Sequence, residues 1–317
     1  MSRIAYVNGR YVPLREAEVH IEDRGYQFAD GVYEVMGFVG GRLVDEGPHL
    51  DRLDRSLREL SIAWPMARRA LQLVMRELIR RNTLADGMLY LQITRGVARR
   101  EHAFPAGVTP SLVMTVRRAR PVPADVRAKG AAVVTIPDIR WQRCDIKSVS
   151  LLPNVLGKQI ARQGGAYEAW MVDADGRVTE GTSTNAWIVT KDGELVTRNL
   201  ENAILSGITR AAVLHLAVGA GLKVGERPFT VAEAKAAREA FLTSTTSYVL
   251  PVVSIDGQKI ADGRPGQVTL ALHHAYLQAM ACHSDDRRKD GYRWGNQIPR
   301  SARDNGARGD NGAGAPK

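Results

Sequence analysis

The spacing of apolar and polar residues predicts a chain in which strands alternate with helices. In PHLDRLDRSLRELSI, Leu50, Leu53, Leu57 and Leu60 recur every three or four positions, as on one face of an amphipathic helix. The same spacing predicts helices over residues 70–79, 155–162, 209–220, 231–240 and 267–281. Short β-prone runs predict strands over residues 88–97, 111–116, 131–136, 169–172, 184–189, 240–245 and 249–255.

Turn residues divide this pattern into larger units. Asn8-Gly9 lies between two β-prone runs and predicts a two-residue hairpin with positive φ at both positions. Pro121 and Pro123 interrupt the pattern after the strand at 111–116 and mark a linker. We therefore predict a mixed α/β (α+β) fold with a small N-terminal domain over residues 1–120, a linker over 121–123 and a large C-terminal domain over 124–282.

The last 35 residues, 283–317, differ in composition from the rest of the chain. They are rich in Gly, Asn, Asp and Arg and contain few aliphatic residues. Such a segment buries too little apolar area to offset the entropy lost on ordering. We therefore predict a disordered tail there.

Composition excludes several classes of protein. The 317 residues are 44% apolar and 25% charged, as in ordinary globular proteins. No run of about 18 apolar residues is present, and MSRIAYVNGR lacks the apolar core of a signal peptide, so a cytoplasmic protein is expected. Two cysteines, Cys144 and Cys282, provide neither a disulfide framework nor a zinc cluster, and no metal site is predicted.

The formal net charge of +10 raises the alternative of a basic nucleic-acid-binding protein. The charge is not concentrated in one binding segment. The tail carries eight Lys and Arg against five Asp, and the remaining positive charge is dispersed among Asp and Glu. No recognised nucleic-acid-binding motif accompanies it, so this alternative rests on net charge alone.

One lysine has unusual surroundings. Lys147 lies between Ile146 and the apolar run Val149, Leu151, Leu152, shortly before a predicted helix. A desolvated lysine loses its proton more readily and forms a Schiff base with a carbonyl, which pyridoxal phosphate chemistry requires. The alternative is a lysine whose ammonium group reaches solvent.

Other residues have the types that this cofactor would need. Glu180 precedes a run of small hydroxyl residues, where a carboxylate could keep a pyridine nitrogen protonated or simply flank a surface turn. The start of the helix at Thr209 and the hydroxyl-rich run 243–247 suit a phosphate, although N-capping also explains Thr209. Arg52 is a candidate charged clamp or a solvated helix residue.

Taken together, these residues resemble those of the fold type IV pyridoxal-phosphate aminotransferases, and among them most closely the D-amino-acid aminotransferases. The resemblance covers roughly residues 1–282. It is carried by EDRGYQFADGVYEV, HLDRL, ITRG with REHAFP, DIRWQRCDIKS, VTEGTSTN, GITR and TSTTS, in that order.

The resemblance implies a role for each matching residue. Lys147 would be the catalytic lysine that holds pyridoxal 5'-phosphate and moves the α-proton, and Glu180 would face the pyridine nitrogen. The other implied cofactor contacts are Arg52, Ile208, Thr209, Ser244 and Thr245. The active site would lie between the two domains.

The substrate carboxylate defines the subfamily. Tyr33, Arg100 and His102 match the three residues that bind the α-carboxylate in D-amino-acid aminotransferases, with the arginine and histidine supplied by the partner subunit of a homodimer. Arg99 adjoins Arg100, so which guanidinium faces the substrate is left open. An amine transaminase has no carboxylate to bind at this point.

The implied reaction is ping-pong transfer of an amino group from a D-amino acid, with D-alanine favoured, to 2-oxoglutarate or pyruvate. Three relatives of the same fold are the alternatives: a branched-chain L-amino-acid aminotransferase, an (R)-amine transaminase and aminodeoxychorismate lyase. Only Tyr33, Arg100 and His102 separate them from the favoured interpretation.

Overall fold

An antiparallel six-stranded sheet forms the N-terminal half of the molecule. The computed structural model describes residues 3–283 of the chain. The sheet has the order β2-β1-β6-β5-β3-β4. Its strands are β1 (Ile4–Val7), β2 (Arg10–Pro13), β3 (Gly31–Val39), β4 (Arg42–Leu43), β5 (Gly87–Thr94) and β6 (Ser111–Arg117).

Helices cover one face of this sheet. They are α1 (Arg24–Phe28), α2 (Glu46–Glu59) and α3 (Arg68–Asn82). The leucine stripe of α2 is fully buried and packs with Met36 and Leu91 in one apolar core. Each buried leucine contributes roughly 1.5–3 kcal/mol, so the three- and four-residue spacing fixes which face of α2 meets the sheet.

A second sheet has nine strands in the order β12-β11-β10-β13-β14-β7-β8-β9, with β15 paired to β14. Three of its pairings are parallel and the rest antiparallel. The strands are β7 (Ala131–Pro137), β8 (Glu168–Val172), β9 (Val178–Gly181), β10 (Asn185–Val189), β11 (Leu195–Thr197), β12 (Val224–Glu226), β13 (Glu239–Ser244), β14 (Tyr248–Ile255) and β15 (Gln258–Lys259). Its helices are α4 (Ala124–Lys129), α5 (Leu152–Gln163), α6 (Ile208–Gly219), α7 (Val231–Ala236) and α8 (Gln267–His283).

The segment between β7 and α5 joins the two sheets. Its residue Lys147 accepts a hydrogen bond at its carbonyl from the Tyr33 amide of β3 at 3.0 Å. The next turn of chain returns the contact, because the Val149 amide donates to the Gly31 carbonyl at 3.0 Å. Lys147 is thereby fixed at the junction of the two sheets by backbone hydrogen bonds.

Most predicted elements are confirmed, and the mixed α/β fold with them. Asn8 and Gly9 have φ of 44° and 92°, as the hairpin requires. The helix predicted over residues 231–240 is wrong at its end, because α7 stops at Ala236 and residues from Glu239 onward pair with β10 and β14. The strand predicted over 88–97 stops at Thr94, and Gly96 has a φ of 109° outside the extended region.

The division into domains stays a prediction, although the two sheets lie on either side of residues 121–123. The large domain is predicted to end at residue 282, and α8 runs to His283. The predicted disordered tail otherwise lies outside the described residues. No helix within residues 3–283 is long and apolar enough to cross a membrane.

Candidate active site

A cavity of about 210 Å³ lies where the two sheets meet, and its walls come from both. The β3 strand supplies Tyr33, the segment before α5 supplies Lys147, and β9 supplies Glu180. The other predicted site residues in its wall are Arg52, Ile208, Thr209, Ser244 and Thr245. Eight of the ten residues predicted from the sequence thus line one cavity.

Lys147 lies in this wall with its Nζ 4.4 Å from the centre of the Tyr33 ring. Burial lowers the pKa of the Lys147 amine to about 8, and the Arg52 guanidinium lowers it further against the opposing effect of Glu34 and Glu180. No carboxylate in residues 3–283 forms an ion pair with this amine. Lys147 is therefore a desolvated nucleophile directed into the cavity, and not a surface lysine.

Glu180 is buried on β9, so the alternative of a surface turn residue is wrong. One carboxylate oxygen accepts a short hydrogen bond from Arg140. The other accepts from the Asn185 amide at 3.0 Å and from the Leu205 backbone amide at 3.1 Å. Burial raises the pKa of the Glu180 carboxyl, and Arg140 opposes that rise. These contacts fix the carboxylate at the cavity wall.

The N-terminus of α6 forms one end of the cavity. Its N-cap is Gly207, and no side chain caps the helix, so the first backbone amides have no partner within it. A Cβ at Gly207 would lie 2.0 Å from Asn185 Oδ1, which explains why only glycine fits there. Ser244 and Thr245 add hydroxyl groups to the same cavity. Amides, hydroxyl groups and a helix dipole together suit a phosphate.

Arg52 extends this anion-binding end. Its Nη1 donates to the Ser206 carbonyl at 2.8 Å, which ties α2 to the loop before α6. Its other nitrogens donate to both oxygens of Glu34 at 2.8 Å, and His49 Nδ1 lies 2.7 Å from the same carboxylate. Burial alone would raise the pKa of Glu34, but Arg52 and His49 lower it to about 2. The alternative of a solvated Arg52 is wrong.

The sequence interpretation missed Glu34, His49, Arg140 and Asn185, which orient the predicted residues. A signal existed for Glu34, a charged residue within the otherwise apolar strand GVYEVMGFV. Arg140 lies 40 positions from Glu180, with which it pairs, and it also forms a 2.7 Å ion pair with Asp138. Such a long-range partner has no periodic pattern in the sequence.

Tyr33 lies on the open face of β3. Its ring stacks on that of Tyr90, with centroids 5.9 Å apart. Burial raises the pKa of the Tyr33 phenol to about 12, so the hydroxyl group keeps its proton near neutral pH. It is therefore available as a hydrogen-bond donor.

Arg100 and His102 do not line the cavity. The Arg100 guanidinium lies 5.1 Å from the Phe28 ring centre, and the His102 ring lies 5.4 Å from the same ring. Arg24 holds this loop by donating to the Glu101 and His102 carbonyls at 2.5 and 3.4 Å. Arg99, Arg100 and His102 are all exposed. A single chain thus does not bring these side chains to Lys147.

Comparison with known proteins identifies the family. The model of amino-transferase class IV matches residues 31–255. The chain belongs to the class IV aminotransferases. A D-alanine aminotransferase of Bacillus licheniformis is 44% identical to it over 278 residues, 86% of this chain and 97% of that protein. One from Listeria monocytogenes serotype 4b is 40% identical over 275 residues, 86% of this chain and 94% of that protein.

Solved structures show the same fold for this class IV aminotransferase. A branched-chain amino acid aminotransferase of Escherichia coli has a TM-score of 0.83 at 23% identity, over 91% of this chain and 98% of that one. One from T.th. was solved with pyridoxamine 5'-phosphate and has a TM-score of 0.81 at 24% identity, over 91% and 96% of the chains.

The donor set of the cavity fits pyridoxal phosphate. It offers an amine of lowered pKa, a buried carboxylate and an anion-binding helix N-terminus within one enclosure. Within residues 3–283, no three His, Cys, Asp or Glu side chains lie close enough to hold a metal ion.

Proposed function

We propose that this enzyme is a pyridoxal-phosphate-dependent transaminase that moves the amino group of a D-amino acid, D-alanine in preference, to 2-oxoglutarate or pyruvate. The observation that carries the proposal is the placement of Lys147, Glu180 and the α6 N-terminus around one cavity. Relatives named D-alanine aminotransferase, 36–44% identical over most of the chain, support the choice of substrate.

Each cavity residue has a task in this reaction. When bound, the cofactor would accept the amino group from the donor and withdraw electrons from its α-carbon. Glu180 would hold the pyridine nitrogen protonated, and Lys147 would anchor the cofactor and carry the α-proton. The phosphate would be held by Arg52, Ile208, Thr209, Ser244 and Thr245.

The D-amino-acid assignment depends on the α-carboxylate. Tyr33 offers a protonated hydroxyl group in the cavity, whereas Arg100 and His102 are exposed on a loop outside it. We propose that these two side chains, with Arg99 as the alternative guanidinium, reach the cavity of a second copy of the chain. A guanidinium binds a carboxylate through two parallel hydrogen bonds.

Exposed apolar residues support a homodimer. Four residues on α5, immediately after the Lys147 segment, are 48–68% exposed: Leu152, Val155, Leu156 and Ile160. Phe104, two residues beyond His102, is 61% exposed. An exposed apolar surface of this kind commonly forms an interface. The homodimer and the cytoplasmic location are proposals drawn from the sequence.

The alternative is a branched-chain amino acid aminotransferase. Solved enzymes of that name, near 24% identity, share the fold alone. The D-alanine aminotransferases share much more of the sequence. A nucleic-acid-binding role would rest on net charge and has no site in its support.

A half-reaction distinguishes these functions. The purified enzyme is loaded with pyridoxal phosphate, and its visible absorption is followed after adding D-alanine, L-leucine or (R)-1-phenylethylamine separately. We expect loss of the long-wavelength band with D-alanine alone. A response chiefly to L-leucine or to the amine would replace the D-amino-acid assignment, and absence of any bound cofactor would refute the proposal.

A further inference from the structure

A second cavity adjoins the active-site cavity. It has a volume of about 240 Å³ and shares two wall residues, Arg117 and Thr246, with the first. Its other walls include Arg120, Tyr248 and the proline-containing segment 121–123. The site is therefore continued, beyond Arg117, toward the connection between the two sheets.

Strand register places Arg117 on the same face as Tyr33. Val35 on β3 is opposite Tyr90 on β5, and Tyr90 is opposite Thr115 on β6. Side chains two residues apart on a strand project from the same face, so Tyr33 and Arg117 share this open face. The opposite face is occupied by the apolar core. Arg117 thus projects toward the site.

Arg117 differs from the other arginines of the cavity wall in its charge environment. Arg52 is neutralised by Glu34, and Arg140 by Asp138 and Glu180. Among residues 3–283, no carboxylate forms an ion pair with Arg117. Arg120, in the wall of the second cavity, likewise has no carboxylate partner in this part of the chain. This end of the site therefore carries uncompensated positive charge.

We propose that Arg117 forms a subsite for the second carboxylate of a dicarboxylic substrate. The donor would be D-glutamate or D-aspartate, and the acceptor 2-oxoglutarate. A guanidinium suits this task because it binds a carboxylate through two parallel hydrogen bonds. The inference rests on the proposed function, which it deepens by assigning a residue to side-chain selection.

Substitution at this position separates the two carboxylates of the substrate. For Arg117→Leu, we expect kcat/KM for D-glutamate to fall about 10- to 100-fold, as for loss of one charge-assisted contact, while the value for D-alanine changes less than about twofold. Arg117→Lys keeps the charge and should retain part of the D-glutamate activity. Arg118→Leu is the matched control, because Arg118 is exposed beside Arg117 and lines neither cavity.

A binding measurement gives a readout that needs no turnover. By calorimetry, the cofactor-loaded wild type should bind glutarate more tightly than pentanoate, which has one carboxylate, and Arg117→Leu should abolish the difference. An unchanged ratio of D-glutamate to D-alanine activity, or equal losses for both, would overturn the subsite and leave the proposed function intact. A wild type that prefers glutarate but turns over no D-amino acid would refute the proposed function and retain the subsite.

Discussion

At the scale of single residues, the chemistry of the cavity depends on which charged groups have partners. Glu34 and Arg52 neutralise each other, and Arg140 is held by Asp138 and Glu180. Lys147 has no such partner in the described chain, and burial therefore acts on it unopposed by a direct ion pair. The lysine is the one amine of the cavity wall, and it is in a reactive state at a pH where ordinary lysines are protonated.

The lowered pKa of Lys147 predicts a pH dependence for the cofactor-free enzyme. Only a neutral amine attacks an aldehyde, so the rate of pyridoxal phosphate capture should rise with pH and level off above a midpoint near 8. The rate is measured by borohydride trapping and mass spectrometry of the peptide that contains residue 147. Nα-acetyl-lysine in the same buffers is the reference, with a midpoint near 10.4.

Lys147→Ala provides the background for this experiment. The variant should trap no cofactor at position 147 and should lose multiple turnover. A midpoint for the wild type close to that of the reference compound would show that burial does not perturb the amine. Full transaminase activity in the variant would remove Lys147 from the mechanism.

At the scale of elements, the site is made of strand ends and one helix start. Periodicity predicted α2 and α6 closely, because both bury one apolar face. It failed after α7, where the alanine-rich run AEAKAAREA favours a helix but pairing with β10 and β14 imposes a strand. The segment 138–151 has no regular pattern, and its course depends on backbone contacts with β3 that are distant in sequence.

The α6 N-terminus gives a prediction at this scale. Gly207→Ala has an acceptable φ of −69°, but its Cβ would displace Asn185, whose amide group holds Glu180. We expect the dissociation constant for pyridoxal phosphate to rise at least about tenfold, or 1.4 kcal/mol, by fluorescence titration. Gly47→Ala is the control, because a Cβ there meets no atom within 4 Å. Equal cofactor affinity in both variants would remove Gly207 from the binding site.

At the scale of the whole molecule, the residues predicted from the sequence fall into two groups. Those assigned to the cofactor lie around one cavity, because each belongs to a local motif at a strand or helix end. Arg100 and His102 lie on a loop held by Arg24 outside it. Their orienting partners could not be predicted, since contacts such as Arg140 with Glu180 follow from the tertiary fold alone. The position of the loop requires either a second chain or a different carboxylate site.

Complementation between two inactive variants decides between these possibilities. Lys147→Ala lacks the amine, and the double variant Arg100→Ala, His102→Ala lacks the proposed carboxylate contacts. If a homodimer shares its sites, a mixed dimer has one site with Lys147 from one chain and Arg100 and His102 from the other. Random mixing after mild dissociation should then restore about a quarter of wild-type D-alanine turnover, because half of the dimers are mixed and each has one intact site of two. A site complete within one chain would give no recovery, since neither variant then has an intact site in any combination.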